Sequence, residues 1–547
     1  MLTIPDLLRA LGTKNRYSAT SVDQLPAHVA AMQMFGHALL IPVPDLDRTD
    51  HLLMFGANPA ASNGSLMTAP GVMERLAAMT DGLDAVRALA ERFPPERVAG
   101  ATGIDADTIR TIAREFAATP RAVAYGRVGV SMQEFGGLAT WLITVLNLAC
   151  GRIDAEGGAM FTKPAVDLMH ADQRSSRPRF GRWKSRVRGL PEFAGELPVA
   201  ALAEEIETAG PGQVRALLTH AGNPVLSTPN GGRLDRALAG LEFFVAIDCY
   251  LNETTRHAHL ILPPTSPLER EHYDLVFHTL AVRDTAKWSP AVFPRPRDAR
   301  HDWEIANALT GALRGTARAR LRSAAIARLG PSFLVDHFIR RGPYGSGWNP
   351  LGGGLTLAKV RAQASGLDLG ALKPALPARL RTADRRIQAA PAMYLADVAR
   401  LEARWLATPV APARSGPLAL IGRRALRSCN SWMHNYDRLV RGKDRCTLLM
   451  HPADAEARGL AAGTRVRISS RVGAVEAAVE LTDDIMPGVV SLPHGWGHGR
   501  AGATLTVAAQ HPGVSINDLT DDLRIDELTG NAAFSGEPVM VTHASRA

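Results

Sequence analysis

The feature that most constrains the fold is a short apolar run followed by an Asn-Pro turn, which occurs twice. "GANPAASNG" (56–64) follows the apolar run 52–55, and "AGNPVLSTPNGG" (221–232) follows the run 216–218. Glycine permits a positive φ, proline fixes the exit, and Asn and Ser side chains offer hydrogen bonds. Open α/β sheets hold nucleotide-like ligands at such turns, outside the carboxyl ends of parallel strands. Each loop alone is also compatible with an ordinary strand-to-helix connection, but the repetition favours two related ligand sites.

The order of the predicted elements indicates the fold class. Strand-like and helix-like segments alternate from about residue 30 to 400, which predicts parallel, doubly wound sheets. After a Pro-rich linker at 406–417, apolar and polar residues alternate with period two, as in "GAVEAAVEL" (473–481). A closed barrel would remove the edges of these short strands. The expected fold class is therefore α/β, with two related doubly wound parallel-sheet domains followed by a C-terminal β-barrel.

Composition narrows the functional classes. No stretch of the 547 residues reaches the roughly 18 to 20 uninterrupted apolar residues of a membrane span. The start, "MLTIPDLLRALGTKNRYSA", has neither the cationic beginning nor the apolar block of a signal peptide. These features predict a cytoplasmic protein without a membrane span.

The cysteines and the basic residues suggest no special chemistry. Cys150, Cys249, Cys429 and Cys446 are scattered without a C-x-x-C pair, which predicts reduced, buried thiols and no iron–sulfur cluster in this chain. The net charge of +9 is concentrated partly in "RSSRPRFGRWKSRVRG" (174–189). Because Pro178 interrupts this run and no nucleic-acid-binding module accompanies it, we interpret it as a solvated loop or subunit surface rather than a nucleic-acid site.

Two C-terminal segments are dense in polar side chains. "NSWMHN" (430–435) and "SLPHGWGHG" (491–499) combine Asn, Ser and His with small residues that allow close backbone approach. Polar groups at this density face a ligand or water. A metal-binding pair of His494 and His498 is disfavoured because Pro493 and the neighbouring glycines preclude a regular helix that would align them. We expect the two segments to meet across one cleft.

Seven segments together resemble the molybdopterin oxidoreductases of the dimethyl sulfoxide reductase type, over nearly the whole chain. They are "GANPAASNGSLMTAPG", "YGRVGVSMQEFGG", "NLACGRIDAEGGAMF", "AGNPVLSTPNGG", "RSCNSWMHNYDRL", "LPHGWGHG" and "GVSINDLTDD". The resemblance implies bis(molybdopterin guanine dinucleotide) with one molybdenum, one Asn-Pro loop for each of two cofactor-bearing halves, and a C-terminal molydopterin-dinucleotide-binding barrel. The cofactor-binding residues that it implies are Gly56, Asn58, Pro59, Ser62, Asn63, Gly126, Arg127, Gly222, Asn223, Pro224, Ser227, Asp248, Asn430, Ser431, Trp432, His434, Asn435, His494, Gly495, Trp496, His498 and Asn517.

The stretch "LGTKNRYSATSVDQLP" (11–26) resembles the passage that supplies the protein ligand of molybdenum in this family, with Asp23 at the offset of the ligand. A carboxylate oxygen is a hard donor that suits a high-valent, oxophilic metal. The resemblance thus implies Asp23 as the metal ligand and catalytic residue. An alternative from the residues alone is that Ser21 or Asp23 caps a helix through "AHVAAMQMFG" (27–36).

The chain departs from the family pattern in two places. Family members begin with a domain that carries an iron–sulfur cluster or its remnant, whereas this sequence resembles them only from the end of that region. After "MERLAAM" (73–79), members continue into a strand ending in Asp-Pro-Arg-Arg near a nucleotide, and that segment is not found here. We therefore expect a chain truncated at the N-terminus, with a gap near residue 79, that retains its metal poorly when isolated.

The resemblance divides the chain into five parts. They are a remnant of the upstream α/β region (1–30), an incomplete first α/β domain (31–130), a second α/β domain (131–405), the linker (406–417) and the barrel (418–547).

The leading functional hypothesis is an oxidoreductase catalytic chain. It would carry out two-electron oxidation or oxygen-atom transfer on a small-molecule substrate, with an electron-transfer subunit or protein as partner. The alternatives are a catalytically inactive truncated remnant and a cofactor-binding accessory protein. The molybdenum content of the purified protein distinguishes them.

Overall fold

The computed structural model describes residues 2–56, 80–171, 180–349, 351–406 and 416–544. Four predicted cofactor residues, Asn58, Pro59, Ser62 and Asn63, lie outside these ranges, as do the chain just before residue 80 and most of the linker.

The first α/β half is built around a parallel pair of strands. Strand β2 pairs with β4 so that His51 lies opposite Ala122 and Phe55 opposite Gly126, which confirms the predicted parallel arrangement. Helix α7 packs beside this pair, and its Trp141 stacks on Tyr394 with ring centroids 5.2 Å apart. The strands are β1 (Val43–Pro44), β2 (His51–Phe55), β3 (Thr80–Asp81), β4 (Ala122–Gly126) and β5 (Ala159–Met160). The helices are α1 (Ile4–Leu11), α2 (Leu25–Phe35), α3 (Leu83–Glu91), α4 (Pro95–Thr102), α5 (Ala106–Ala118), α6 (Val128–Ser131), α7 (Gly136–Ala149) and α8 (Leu168–Ala171).

The second half repeats the arrangement with three parallel strands in the order β10-β9-β8. Leu234 and Leu238 of helix α11 and Phe244 of β9 form the centre of its apolar core. The elements are β6 (Phe180–Lys184), β7 (Pro191–Phe193), α9 (Leu202–Glu207), β8 (Ala216–His220), α10 (Pro224–Ser227), α11 (Gly231–Ala239), β9 (Phe243–Ile247) and β10 (Leu260–Ile261).

A mixed region joins this half to the barrel. Its strands form short pairs, and β15 returns to the first half by pairing in parallel with β3. The elements are β11 (His272–Tyr273), β12 (Arg283–Ala286), β13 (Trp288–Ser289), α12 (Asp302–Arg314), α13 (Ala317–Arg341), α14 (Leu357–Arg361), β14 (Leu367–Ala371), β15 (Ile387–Gln388) and α15 (Ala392–Trp405).

The C-terminal strands close into a barrel in the order β16-β20-β17-β19-β18-β21. Its core holds Leu420, Leu448, Val466 and Val490, all fully buried. The predicted alternation is confirmed in β19, where the buried residues are Ala477 and Val479. The elements are β16 (Leu418–Arg423), α16 (Asp437–Val440), β17 (Thr447–Met450), α17 (Pro452–Glu456), β18 (Arg465–Ser469), β19 (Ala474–Leu481), β20 (Val489–Pro493) and β21 (Glu537–His543).

The segment between β20 and β21 ties the barrel to both α/β halves. Ala532 N donates to Ser21 O at 2.8 Å, and Asp526 Oδ2 accepts from Gly137 N at 3.0 Å. Asn517 Nδ2 donates to Leu226 O of the second half at 2.7 Å. Because these donors and acceptors are buried, each lost bond would leave a polar group without a partner. This segment therefore couples the three parts of the molecule.

The interpretation of the basic segment as a solvated loop or subunit surface agrees with the exposure of Arg182, Lys184 and Arg186, but Phe180–Lys184 form a strand rather than a loop. Arg182 also pairs with Glu192, and Arg188 Nε lies 2.7 Å from Glu204 Oε1. Both glutamates are buried, so these arginines neutralise buried carboxylates of β7 and α9. These pairs were not predicted, because the acidic partners follow the segment in sequence and meet it only after folding.

The prediction of buried thiols is also wrong in part. Cys446 is buried and Cys150 partly so, but Cys249 and Cys429 are exposed. Both exposed cysteines belong to loops that follow barrel or sheet strands, where apolar packing is absent.

Candidate functional site

The carboxyl ends of β2 and β4 approach each other without intervening side chains. Gly129 N donates to Gly56 O at 3.0 Å, and a Cβ placed on Gly56 would lie 2.4 Å from Val130 N. Gly126 has no room for a side chain either, because its Cβ would lie 2.6 Å from Ile143 Cδ1. The two predicted glycines thus allow β2, β4 and the turn at Gly129 and Val130 to pack closely at this strand end.

A cavity of about 490 Å³ opens at this strand end. Its walls are mainly apolar, and Gly126, the Arg127 guanidinium and the Gln24 amide supply polar groups. Residues from α2, β1, α7 and the loop before β12 complete it, including Ala27, Ile41, Val43, Thr140 and Phe277. Apolar walls with a few placed polar groups are typical of small-molecule and cofactor sites.

Asp23 lies between the 3-10 turn Ala19–Val22 and helix α2. The helix begins at Leu25, its N-cap is Gln24, and that cap makes no side-chain hydrogen bond. Ser21 Oγ accepts from Val199 N at 2.9 Å instead. The capping interpretation of Ser21 and Asp23 is therefore wrong, because Pro26 in the first turn needs no acceptor there and Ser21 already serves another backbone amide.

The carboxylate of Asp23 is incompletely satisfied. Its Oδ1 is buried and has no hydrogen-bond partner among the described residues. Burial raises the pKa of Asp23, while the nearby charges of Arg127, Arg424 and His28 act in the opposite direction. Arg127 belongs to the first half and Arg424 follows the first barrel strand, so Asp23 lies where these parts meet.

The corresponding strand end in the second half is closed by internal hydrogen bonds. Asn223 Nδ2 donates to Glu253 Oε2 at 2.7 Å, and Asn223 Oδ1 accepts from Thr254 Oγ1 at 2.7 Å. Pro224 occupies the first turn of α10, and Ser227 Oγ donates to Asn223 O at 3.0 Å. A Cβ added to the preceding Gly222 would meet no atom closer than 3.9 Å. The polar side chain of this loop therefore serves the protein itself.

Asp248 follows β9 at the same edge of the sheet. Its carboxylate accepts from Tyr250 N at 3.1 Å and from Asn252 Nδ2 at 3.3 Å. Burial raises the pKa of Asp248, and this effect outweighs the hydrogen bonds, which lower it. Asp248 is thus held in place next to the carboxyl end of β9.

The structure brings the two polar C-terminal segments together. A Cβ on Gly495 would lie 2.1 Å from Asn430 O, and Gly495 has a φ of +104°. Asn430 itself has a φ of 56° and its side chain accepts from the Arg424 guanidinium. Only glycine fits this contact, because any side chain would displace the 430 loop. Arg424 thereby links the loop to the surroundings of Asp23.

A cluster of rings lies beneath this contact. Trp496 lies with its ring centroid 4.3 Å from that of His434, and His434 Nδ1 is 2.9 Å from His498 Nε2. His498 Nδ1 is 2.8 Å from Glu253 Oε1 of the second half, and His434 Nε2 is 2.8 Å from Ser428 Oγ. His434 and His498 were predicted, but Glu253 and Ser428 were not.

His494 is part-exposed beside the same cluster. Burial and the charges of Arg424 and His434 lower its pKa to about 3. It is therefore a neutral imidazole at physiological pH, able to donate one hydrogen bond and accept another.

Four other predicted residues have different surroundings. Asn435 Oδ1 accepts from Val507 N and Ala508 N, and so caps a short 3-10 turn. Asn517 is bonded to Leu226 O, as described above. Ser431 is half-buried, whereas Trp432 is exposed over 55% of its surface. The asparagines have structural partners, whereas Trp432 presents its ring to solvent.

Family models match two parts of the chain. Residues 1–312 match Molybdopterin oxidoreductase, and residues 418–537 match Molydopterin dinucleotide binding domain. The first match alone covers more than half of the chain. The chain belongs to the molybdopterin oxidoreductase family. Its cofactor is accordingly a molybdenum-bearing pterin dinucleotide, and the predicted family resemblance is confirmed.

Curated members of the family share parts of the sequence. The assimilatory nitrate reductase catalytic subunit of Bacillus subtilis is 36% identical over 121 residues, which are 22% of this chain and 16% of the relative. The F420-dependent formate dehydrogenase 2 subunit alpha of Methanococcus maripaludis is 23% identical over 496 residues, 87% of this chain and 67% of the relative. The menaquinone reductase molybdopterin-binding-like subunit of Nitratidesulfovibrio vulgaris is 27% identical over 34% of this chain and 25% of its own length. The chain thus spans a quarter or less of two of these three relatives.

Among solved structures, acetylene hydratase from Pelobacter acetylenicus has the same overall fold. The TM-score is 0.75 at 16% identity, and the match covers 99% of this chain and 84% of that chain. This similarity confirms the predicted fold class. Within the described residues, no helix combines the length and apolar character that a bilayer crossing requires.

Proposed function

We propose that this chain is the catalytic chain of an oxidoreductase that performs two-electron oxidation or oxygen-atom transfer on a small molecule. In this proposal molybdenum is bound by two molybdopterin guanine dinucleotides, Asp23 is its protein ligand, and the chain carries no iron–sulfur cluster. The observation that carries the proposal is the buried Oδ1 of Asp23 without a partner among the described residues, at the meeting point of the first half and the barrel.

The residues around Asp23 fit the group that the family implies. A buried carboxylate oxygen without a partner costs about 1–3 kcal/mol, and a bound cation would remove this cost. Arg127 and Arg424 supply positive charge on two sides, which suits a cofactor with several phosphates. When bound, molybdenum supplies the two-electron redox chemistry, which no side chain of the site offers.

The protein residues would then bind and orient. Gly56 and Gly126 let the backbone of the first half approach one pterin dinucleotide. The loop at Asn430 and Gly495, which excludes side chains, would do the same from the barrel side. Neutral His494 would donate to ring or carbonyl groups, and the apolar wall of the 490 Å³ cavity would exclude water.

The relatives suggest which substrates to test first. Formate and nitrate appear in the names of two of them, so we propose a small anion of this kind as the substrate. Several relatives are named as subunits, which supports an electron-transfer subunit as the partner. We further propose a cytoplasmic location and the five-part domain division that the sequence predicts.

The proposal is tested by expressing the full chain in a host that makes the cofactor. We expect guanine nucleotide and molybdenum to copurify in a ratio of two to one, at well under one molybdenum per chain, and dye-linked activity on formate or nitrate to be correspondingly low and proportional to the molybdenum content. Asp23→Ala should abolish this activity and change the molybdenum X-ray absorption spectrum without unfolding the protein.

Asp284→Asn is the matched control, because Asp284 is also a buried carboxylate whose pKa burial raises, but it contacts Lys163 N and the Tyr344 hydroxyl. It should leave the metal spectrum unchanged. Guanine nucleotide without molybdenum would favour the accessory protein, and the absence of both would favour the inactive remnant. A metal spectrum that is unaffected by Asp23→Ala would remove Asp23 from the coordination sphere.

A further inference from the structure

Four buried side chains form an unbroken hydrogen-bonded chain between the second half and the barrel. In order they are Glu253, His498, His434 and Ser428, joined by contacts of 2.8, 2.9 and 2.8 Å. Each of the four is at most 3% exposed. All four side chains lie outside the strands, in the loops and turns that follow β9, β16 and β20.

The charge on Glu253 fixes which atom donates in every bond of the relay. A carboxylate only accepts, so His498 must carry its proton on Nδ1. Neutral His498 then accepts at Nε2, which requires the proton of His434 on Nδ1. Neutral His434 in turn accepts at Nε2 from the Ser428 hydroxyl. All hydrogens of the relay therefore point toward Glu253, and the outward side of Ser428 Oγ can only accept.

We propose that Glu253, His498, His434 and Ser428 form a one-ended proton store that takes up and returns a single proton at Ser428. The second oxygen of Glu253 accepts from the amide of Asn223, which cannot release a proton at physiological pH. The relay therefore has no exit on the Asn223 side. Ser428 directly precedes the exposed residues Cys429 and Asn430, so we assign proton exchange to the Ser428 end of the relay.

The uptake of one proton reverses the polarity of the relay. The incoming proton binds Ser428 Oγ, the original hydroxyl proton of Ser428 passes to His434 Nε2, and the Nδ1 proton of His434 passes to His498 Nε2. His498 then holds two protons as an imidazolium beside the Glu253 carboxylate, and neutral His434 donates from Nε2 to Ser428. The Ser428 hydroxyl is thereby free to donate outward. The net charge of the four groups changes from minus one to zero, with no other reactant.

The electrostatic surroundings favour these two states. Burial would raise the pKa of Glu253, but the hydrogen bond and charge of His498 and the hydrogen bond from Asn223 outweigh it and lower the pKa. Burial and the charge of His498 lower the pKa of His434 to about 4, so the stored proton does not remain on His434. The other titratable group facing His434 is His494, while Trp496 covers the ring.

The test uses the full chain with ¹⁵N-labelled histidine and does not depend on the reaction that the chain catalyses. Long-range ¹⁵N–¹H correlation spectra distinguish the two neutral tautomers and the imidazolium. His434→Asn and His498→Asn assign the two relay signals. At pH 8 we expect both histidines as Nδ1–H tautomers. On acidification, His498 should become doubly protonated while His434 changes to the Nε2–H tautomer.

Glu253→Gln should reverse the relay without acid. The amide oxygen of the new side chain would keep the bond from Asn223, so its amide nitrogen would donate to His498 Nδ1, and both histidines would become Nε2–H tautomers at pH 8. Glu537→Gln is the matched control, since Glu537 is a buried carboxylate that is bonded to Asp521 N and Arg524 and to no histidine among the described residues.

Nε2–H tautomers at pH 8 in the unmodified chain would overturn the proposal, as would unchanged tautomers in folded Glu253→Gln. If Glu253→Gln does not fold, the acid titration of the unmodified chain decides alone: an imidazolium on His434, or independent titration of the two rings, would exclude a shared store.

Discussion

The carboxyl ends of the parallel strands differ between the two α/β halves. In the second half, Asn223 is bonded to Glu253 and Thr254, and Glu253 is bonded to His498 of the barrel. In the first half, Gly126 and Arg127 at the end of β4 border a cavity of about 490 Å³. On the described residues, we call the first a closed strand end and the second an open one.

This contrast shows that a shared arrangement of parallel strands does not fix the role of the residues at their ends. The side chains packed around each strand end decide whether its polar groups serve the protein or face a cavity. The predictions below test this contrast, from the largest expected loss of folding free energy to the smallest.

The largest loss is expected for Glu253→Ala, which removes the acceptor of His498 and Asn223. Removing one partner of a buried charged network costs roughly 3–5 kcal/mol. Urea denaturation of the full chain measures this loss. A loss below about 1 kcal/mol, the net worth of one ordinary hydrogen bond, would mean that the closed strand end does not contribute to stability.

A smaller loss is expected for Gly495→Ala, because its Cβ would lie 2.1 Å from Asn430 O. We expect roughly 1–3 kcal/mol from overpacking beyond the cost of a positive φ. Gly488→Ala is the matched control, since Gly488 has a φ of +85° and no atom within 4 Å of its Cβ position. Equal losses in thermal or urea unfolding would show that the 430 loop yields freely.

The contact between the first half and the barrel segment should depend on pH. Burial raises the pKa of Asp526 from 3.8 to about 7, against the Thr529 hydrogen bond and the Arg400 charge. The protonated form thus stabilises the fold at low pH, and this stability is lost as the pH rises from 3.8 to about 7. Each unit of pKa shift corresponds to about 1.4 kcal/mol.

We expect Asp526→Asn to remove this pH dependence, as measured by melting temperature from acidic to mildly alkaline pH. The exposed Asp84→Asn controls for the change in net charge. A slope that persists in Asp526→Asn would assign the pH dependence to other groups.

The smallest loss of stability is expected for Arg127→Gln at the open strand end. Among the described residues, the Arg127 side chain makes one long hydrogen bond, 3.5 Å to Gln24, so we expect a change within about 0.5 kcal/mol. The guanine nucleotide content of the purified chain should fall nonetheless, because a charge that faces the cavity is lost. A large loss of stability with unchanged nucleotide content would reverse the assignment of the two strand ends.

Local patterns predicted the architecture well. Period-two alternation identified β19, and apolar runs identified β2 and β8, because strand burial is encoded in neighbouring residues. The resemblance also predicted Asn223, His434 and His498. In the structure the two histidines belong to the relay, and Asn223 donates to its Glu253 end. Their partners were not predictable: Glu253 and Ser428 are single polar residues, and only the tertiary fold brings them to the two histidines.

The assignment of Asp23 shows the same limit. Sequence alone offered a helix cap and a metal ligand, and the cap is wrong because Ser21 is already bonded to Val199 N. That bond joins residues from two distant parts of the chain. Whether the Ser21 hydroxyl binds a distant or a neighbouring backbone amide depends on the whole fold. The residue types near the helix start therefore do not predict it.

The hydrogen bond from Ala532 to Ser21 imposes an order in time. Ribosomes release N-terminal regions first, and domains generally fold as they emerge. Ser21 therefore waits, two residues from Asp23, until nearly the whole barrel has been made. Until residues 526–532 have been made, neither this bond nor the bond from Gly137 N to Asp526 can form. The contacts that join the barrel to the region of Asp23 are therefore completed late in synthesis.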